Sequence, residues 1–205
     1  PKITINSTAL SDVNKALKTE WLITNGLGSY ASSTVLGINT RKYHGLLVAA
    51  FNPPVDRRVL LTRLDEEIQV NNKTYFLGAN ELGSGGFQPE GYRYLSNFSL
   101  NPFPTYAYEL DRKFRLEKTV FMPYEKNVTV VIYEASNTSR DSVLLSVSPL
   151  VNFRHFHSVT QRDTMPQGFA QKLFDKGVIV QSPPSTLTLL STDGYYEAGR
   201  GEWIE

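Results

Sequence analysis

Hydrophobic and polar residues alternate with a period of two along much of this chain. From Phe114 to Met122 one parity carries Phe114, Leu116, Val120 and Met122, while the other carries Arg115, Glu117 and Thr119, with Phe121 as an exception. Successive side chains of an extended strand point to opposite faces, so this pattern predicts a strand with one buried face. Residues 127–134 are apolar or β-branched at both parities (Val128, Val130, Val131, Ile132, Tyr133), which predicts a central strand between two layers. Val143–Val147 reads as its hairpin partner across the polar loop 137–141. Further strands are expected at 44–51, 58–70, 74–77, 92–100, 105–110, 178–181 and 186–191. Asn71-Asn72, Pro183-Pro184 and Asp193-Gly194 supply turns between them. Strands joined by such short turns run antiparallel.

Helix is scarce. Ser11 is placed to cap a short helix in which Val13, Ala16 and Leu17 fall at i, i+3 and i+4. Residues 169–175 fit a helical turn or a strand equally well. Residues 78–91, with Gly83-Ser84-Gly85-Gly86 and Pro89-Glu90-Gly91, read as a surface loop. The expected fold is all-β: a largely antiparallel, two-layer arrangement with long loops, in a single domain over residues 1–205.

Composition narrows the functional classes. Lys and Arg total 21 against 20 Asp and Glu, a formal charge of +1, which argues against nucleic acid as a partner. No run of about 18 apolar residues offers a membrane-spanning helix, so no membrane partner is expected. No leader-like segment opens the chain, which points to a cytoplasmic location. With 0 Cys, disulfides, a cysteine nucleophile and a cysteine metal site are excluded.

Candidate chemistry is sparse. Asn25-Gly26-Leu27-Gly28-Ser29-Tyr30 has the glycines of a phosphate loop, but the residues that follow are strand formers and not a helix. A tight turn between strands is therefore preferred. His155 and His157 are spaced i, i+2 and would share a strand face, with Asp163 or His44 as a third metal ligand; hydrogen bonding or packing is the plainer role, and no metal or cofactor is expected. Acid–base pairs of the kind that hydrolyse glycosides would have to come from Asp65-Glu66-Glu67, Glu109, Asp111, Glu117, Glu125 or Glu134. Most of these occupy outward, solvated positions, so no catalytic residue is assigned. Tyr92, Tyr94, Phe98, Phe103, Tyr106 and Tyr108, with Tyr195, Tyr196 and Trp203, could stack on sugar rings, yet burial accounts for most of them. The sequons at Asn6, Asn72, Asn97, Asn127 and Asn137 read as chance polar composition.

Two strings are more specific. Residues 20–32 (EWLITNGLGSYAS) and 39–49 (NTRKYHGLLVA) resemble the opening of bacterial and archaeal glycogen debranching enzymes, which are amylo-α-1,6-glucosidases. The resemblance continues through Pro53-Pro54, Arg58-Val59, Leu64-Asp65-Glu66, Pro89-Glu90-Gly91, residues 118–122 and residues 149–154, so it spans nearly the whole chain. Ser29 stands where the family commonly has a second glycine, and His155 where an aspartate commonly follows the arginine.

This resemblance implies an N-terminal β supersandwich that precedes an (α/α)6 barrel. The barrel would carry the carboxylates that hydrolyse an α-1,6-linked glucose stub with inversion. The chain stops at Glu205, before such a barrel could begin, so the expectation is the N-terminal domain by itself, as an excised domain or a gene fragment. Its partners would be the C-terminal (α/α)6 catalytic domain of the same protein and an α-glucan, glycogen or limit dextrin. Asn25, Arg41, Tyr43 and His44 are the first candidates for a polar rim that binds substrate or the neighbouring domain, with Arg154 and His157 second. Arg41 and His44 could equally tie a loop to backbone carbonyls. A freestanding α-glucan-binding module and a small hydrolase with its own carboxylates are the alternatives.

Overall fold

The alternating segments form strands, and the strands assemble into facing antiparallel sheets. The computed structural model describes residues 2–81, 85–111, 113–161 and 169–199. Asp163, Trp203 and the Gly83-Ser84 part of the expected loop lie outside the described residues. The chain opens with β1 (Ile3–Asn6), α1 (Ser7–Leu10), α2 (Val13–Ala16), β2 (Glu20–Thr24) and β3 (Tyr30–Thr34). It continues with β4 (Gly45–Asn52), β5 (Val55–Val70), β6 (Lys73–Phe76), β7 (Asn80–Glu81) and β8 (Phe87–Gln88). A 3-10 turn at Gly91–Tyr94 precedes β9 (Leu95–Leu100), β10 (Pro104–Asp111), β11 (Phe114–Phe121) and β12 (Val130–Asn137). The last strands are β13 (Val143–His155), β14 (Ala170–Phe174), β15 (Gly177–Ser182) and β16 (Ser185–Leu190).

One sheet has the order β1-β9-β10-β11-β12, and the other has β13-β5-β4-β3-β2 with β6 added to β5. β14, β15 and β16 make a third sheet, and β7 with β8 a small ribbon. The long β5 is the spine. β13 runs along one side of it from Val143↔Val70 to His155↔Arg58. On its other side β4 covers the first half, to Leu47↔Leu61, and β6 the second, from Glu67↔Phe76.

The core lies between the two large sheets. Trp21, Leu46, Leu60 and Ile68 come from one layer and Phe98, Tyr106, Leu116 and Val120 from the other, while Leu187 of the third sheet joins the same cluster. Each such side chain contributes roughly 1.5–3 kcal/mol by leaving water. Polar tips inside this core are partnered: Trp21 Nε1 donates to the Tyr106 hydroxyl at 2.5 Å, which donates to the Thr34 carbonyl at 2.7 Å. No helix among the described residues is long and apolar enough to cross a membrane.

Several local expectations change. β12 is not a central strand: it is the edge of its sheet, and Val128 and Ile132 are 43% and 44% exposed. Nor does Val143–Val147 return beside it; β13 crosses to the opposite sheet and pairs with β5. The loop between them folds on itself, with Asn137 Nδ2 donating to the Asp141 carbonyl at 2.8 Å, and the Thr138 N–H ties it to the Lys113 carbonyl at 2.9 Å. That geometry directs the chain away from β12, and β5 offers thirteen-residue β13 a longer edge than β12 could.

Strand β9 begins at Leu95, because Gly91–Tyr94 coils into the 3-10 turn with Tyr92 packed on Phe87 and Tyr94 on Tyr75. Asp12, and not Ser11, caps α2, through a bond from Lys15 N–H to Asp12 Oδ1 at 3.2 Å; Ser11 ends α1. The ambiguous 169–175 segment contains strand β14. The Gly26–Gly28 stretch is the expected tight turn, with φ of +84° and +93° at its two glycines.

Candidate functional site

The loop from β3 to β4 is built to present residues 41–43. Its base is fastened first: Thr34 Oγ1 donates to the Ile38 carbonyl at 2.8 Å and accepts the Ile38 N–H at 3.1 Å. Gly37 turns the chain at φ +74°, a region where an L side chain is strained. Asn39 Nδ2 then reaches the Thr62 carbonyl of β5 at 3.0 Å. With the base held from two sides, Arg41 and Lys42 stay exposed at the tip while His44 turns inward.

Tyr43, Arg154 and His157 come together here. The Tyr43 hydroxyl lies 3.2 Å from His157 Nδ1, and the two rings meet edge to face with centroids 5.7 Å apart. Lys42 Nζ donates to the His157 carbonyl at 2.7 Å. Arg154 donates through Nη2 to the Lys42 carbonyl and through Nη1 to the Ser158 carbonyl at 2.8 Å. The Tyr30 hydroxyl donates to the Tyr43 carbonyl at 2.9 Å. Burial raises the Tyr30 phenol's pKa, while the positive charges of Arg57 and then Arg154 pull it the other way.

Arg41 and His44 share the other flank with Glu20, at the start of β2. Arg41 Nε is 2.7 Å from Glu20 Oε1. His44 is 2% exposed, and its Nδ1 accepts the Thr40 N–H at 3.1 Å. A neutral His44 ring therefore carries its proton on Nε2, which lies 3.6 Å from Glu20 Oε1 and has no hydrogen-bond partner among the described residues. Burial holds the His44 pKa below its usual value, with the Glu20 carboxylate opposing.

Asn25 stands apart from this cluster. It is buried in the β2–β3 turn, where Nδ2 donates to the Lys126 carbonyl at 2.7 Å and Oδ1 accepts the Leu27 N–H at 2.9 Å. Ser29 and Asn127 extend the network. Ser29 Oγ donates to Asn127 Oδ1 at 2.5 Å and accepts the Ala50 N–H at 2.7 Å, while Asn127 Nδ2 donates to the Ala50 carbonyl at 2.9 Å. These bonds join the turn to the segment between β11 and β12.

His155 ends β13, and Phe156 and His157 lie in the turn beyond it, so the two histidines do not share a strand face as expected. Their ring centroids are 5.4 Å apart. Among the described residues no group of three His, Asp or Glu is placed to hold a metal ion.

Sequence reasoning missed a buried ionic cluster between the sheets. Glu66 was expected to be solvated, yet it is buried, with Oε1 2.5 Å from Lys118 Nζ and accepting the Tyr133 hydroxyl at 2.5 Å. Burial holds the Tyr133 phenol well above its usual pKa, and the nearby Glu66 charge pushes the same way. The signal was available: Lys118 has the parity of Phe114, Leu116 and Val120 and so had to face inward. Arg63 is buried nearby, donating to the Ala79 carbonyl at 2.6 Å and to Asp65 Oδ2 at 3.0 Å.

The chain matches the family described as "Glycogen debranching enzyme N terminal" over residues 19–205. It belongs to that family. The match covers both strings that carried the resemblance, both large sheets apart from β1, and every residue of the Tyr43–Arg154–His157 cluster. No curated protein and no solved structure matches the chain.

Proposed function

We propose that this glycogen debranching enzyme N-terminal domain is non-catalytic. It packs against a catalytic domain of the same protein, one that hydrolyses α-1,6-glucosidic branch linkages, and lends the 39–44 loop and the end of β13 to the rim of its α-glucan site. The observation that carries this reading is the convergence of Tyr43, Arg154 and His157, which gives an aromatic face bordered by hydrogen-bond donors. That combination suits a sugar, whose ring has apolar faces and whose edge is lined with hydroxyls. The acidic residues lean the same way. Glu20, Asp56, Asp65, Glu66, Glu90 and Glu117 each sit against a Lys or Arg, whereas a hydrolytic pair needs two carboxyls facing each other across roughly 5–9.5 Å of substrate space.

The test is Tyr43→Ala in the enzyme that joins this domain to its catalytic partner. A rim contact predicts KM for a branched dextrin raised about tenfold or less, with kcat nearly unchanged. Unaltered kinetics in the folded variant would remove Tyr43 from the site. Glucose release from the same dextrin by residues 1–205 alone would overturn the non-catalytic assignment.

A second reading, a freestanding α-glucan-binding module, draws on Tyr124 and Tyr195, which are 74% and 81% exposed. It requires tight binding of maltooligosaccharides by the isolated chain; the domain reading requires weak binding, since half of a composite site is absent.

A further inference from the structure

Among the described residues, three cations around His157 stand without a carboxylate. Lys42 Nζ donates to the His157 carbonyl at 2.7 Å, Arg57 Nε to the Gly28 carbonyl at 2.6 Å, and Arg154 to the carbonyls of Lys42 and Ser158. Elsewhere Arg41, Arg58, Arg63, Arg93, Arg115 and Lys118 each hold an Asp or Glu. Among the described residues no ion pair engages Lys42, Arg57 or Arg154. A carbonyl orients a guanidinium but cancels none of its net charge, so this corner concentrates positive charge that a polyvalent anion would relieve.

The three are neighbours. Arg57 lies over the Phe156 ring, 5.5 Å from its centroid, and Arg154 Nη1 is 3.4 Å from the Phe156 carbonyl. Both charges act on the Tyr30 phenol. Burial lowers the pKa of Arg154 itself, with the Tyr30 charge opposing. Beside the cations lie rings: Phe156 and His157 have centroids 3.9 Å apart, and Tyr43 stands edge-on to His157. Arg57 spends only Nε among the described residues, which leaves the terminal amino groups of its fork for a ligand.

We infer that this corner binds a phosphorylated hexose, with the phosphate on Lys42, Arg57 and Arg154 and the sugar ring against Tyr43 and His157. The phosphate half rests on the cations alone; the sugar half rests on the glucan-rim reading above. A free sugar phosphate and a phosphate ester carried on a glucan chain present the same chemistry. Guanidinium forks match phosphate oxygens in pairs, and charge-assisted bonds of this kind are the stronger ones.

Calorimetric titration of the 205-residue chain tests this, at fixed ionic strength, with glucose 6-phosphate, glucose, inorganic phosphate, and a phosphorylated maltodextrin with its dephosphorylated form. Glucose 6-phosphate should bind roughly tenfold or more tighter than glucose, and Lys42→Gln and Arg57→Gln should each weaken it by about tenfold. Added salt should weaken it further. Arg154 is left intact because its carbonyl bonds hold the loop, and circular dichroism shows that each variant is folded.

Tighter binding of phosphorylated maltodextrin than of glucose 6-phosphate assigns the glucan-borne ester; equal binding assigns the free sugar phosphate; both support the inference. Equal affinity for glucose and glucose 6-phosphate overturns it, as does binding that ignores both substitutions in folded protein. Glucose 6-phosphate that binds no better than inorganic phosphate overturns the sugar half. A phosphate response with no Tyr43→Ala effect on dextrin hydrolysis would defeat the glucan-rim reading and leave the anion site standing; the reverse pattern would do the opposite.

Discussion

Replacing Glu66 by Gln removes one charge from the middle of the sandwich while keeping the size of the side chain and an acceptor for Tyr133. The Glu66 and Lys118 side chains are 2% and 9% exposed, and their charged atoms are 2.5 Å apart. At an effective dielectric constant of about 20 their attraction is roughly 6–7 kcal/mol. Most of that offsets the cost of taking two ions out of water, so the intact pair contributes little net stability. Breaking it is another matter, because the Lys118 ammonium stays buried with its counter-charge gone.

Glu66→Gln and Lys118→Met should each cost about 3–5 kcal/mol, whereas the double variant Glu66→Gln/Lys118→Met should recover most of the loss. A domain of this kind has a total stability of about 5–15 kcal/mol, so either single change removes a large share. Equilibrium urea unfolding of the four proteins gives the coupling energy directly. Single variants within about 1 kcal/mol of the parent, or a double variant equal to the sum of the singles, would refute the view that this pair is a matched set. Tyr133→Phe, which deletes one bond to a charged acceptor, should cost about 1.5–3 kcal/mol.

His44 makes stability depend on pH. Its folded-state pKa lies below the usual 6.5, so as pH falls below that value the unfolded chain takes up a proton that the native ring resists. Stability should therefore rise with pH up to about 6.5 and level off above it. His44→Asn, which keeps an acceptor for Thr40, should flatten that slope in denaturant titrations at several pH values, and an unchanged slope would assign it to other groups. Ser29→Ala strands the Ala50 N–H and should lower unfolding free energy by about 1–3 kcal/mol; a neutral result would mean that water reaches the site. Gly91→Ala places a methyl group against the backbone of Leu77 and should cost about 1–3 kcal/mol or more. Gly194→Ala, in open space at φ +81°, should cost only about 1–2 kcal/mol, and equal losses from the two would contradict the clash.

The strand pattern was legible because it depends on neighbours in the chain. Phe114, Leu116, Val120 and Met122 are all buried along or just beyond β11, as their parity required, and Gly26 and Gly28 turn the chain where two strand patterns meet. The family strings could be read for a similar reason: residues 20–32 and 39–49 are contiguous, although their contacts are not. The candidate site drew only some of its residues from the sequence. Tyr43, Arg154 and His157, which the structure brings together, are candidates from the sequence; Lys42 and Arg57 are not, because nothing in their local spacing shows that they pair with no carboxylate among the described residues.

What the sequence by itself determined is therefore the all-β class, most strand positions, the tight turns and the family. Tertiary structure alone decided that β13 pairs with β5 and not β12, that Glu66 meets Lys118 across the layers, and that residues 42, 57 and 154 share one corner. The division has a physical cause. Alternation and turn chemistry are set by the conformations open to a few adjacent residues. Partner choice is settled by which distant edge or charge leaves the fewest buried groups unsatisfied, and that comparison exists only once both sheets are in place.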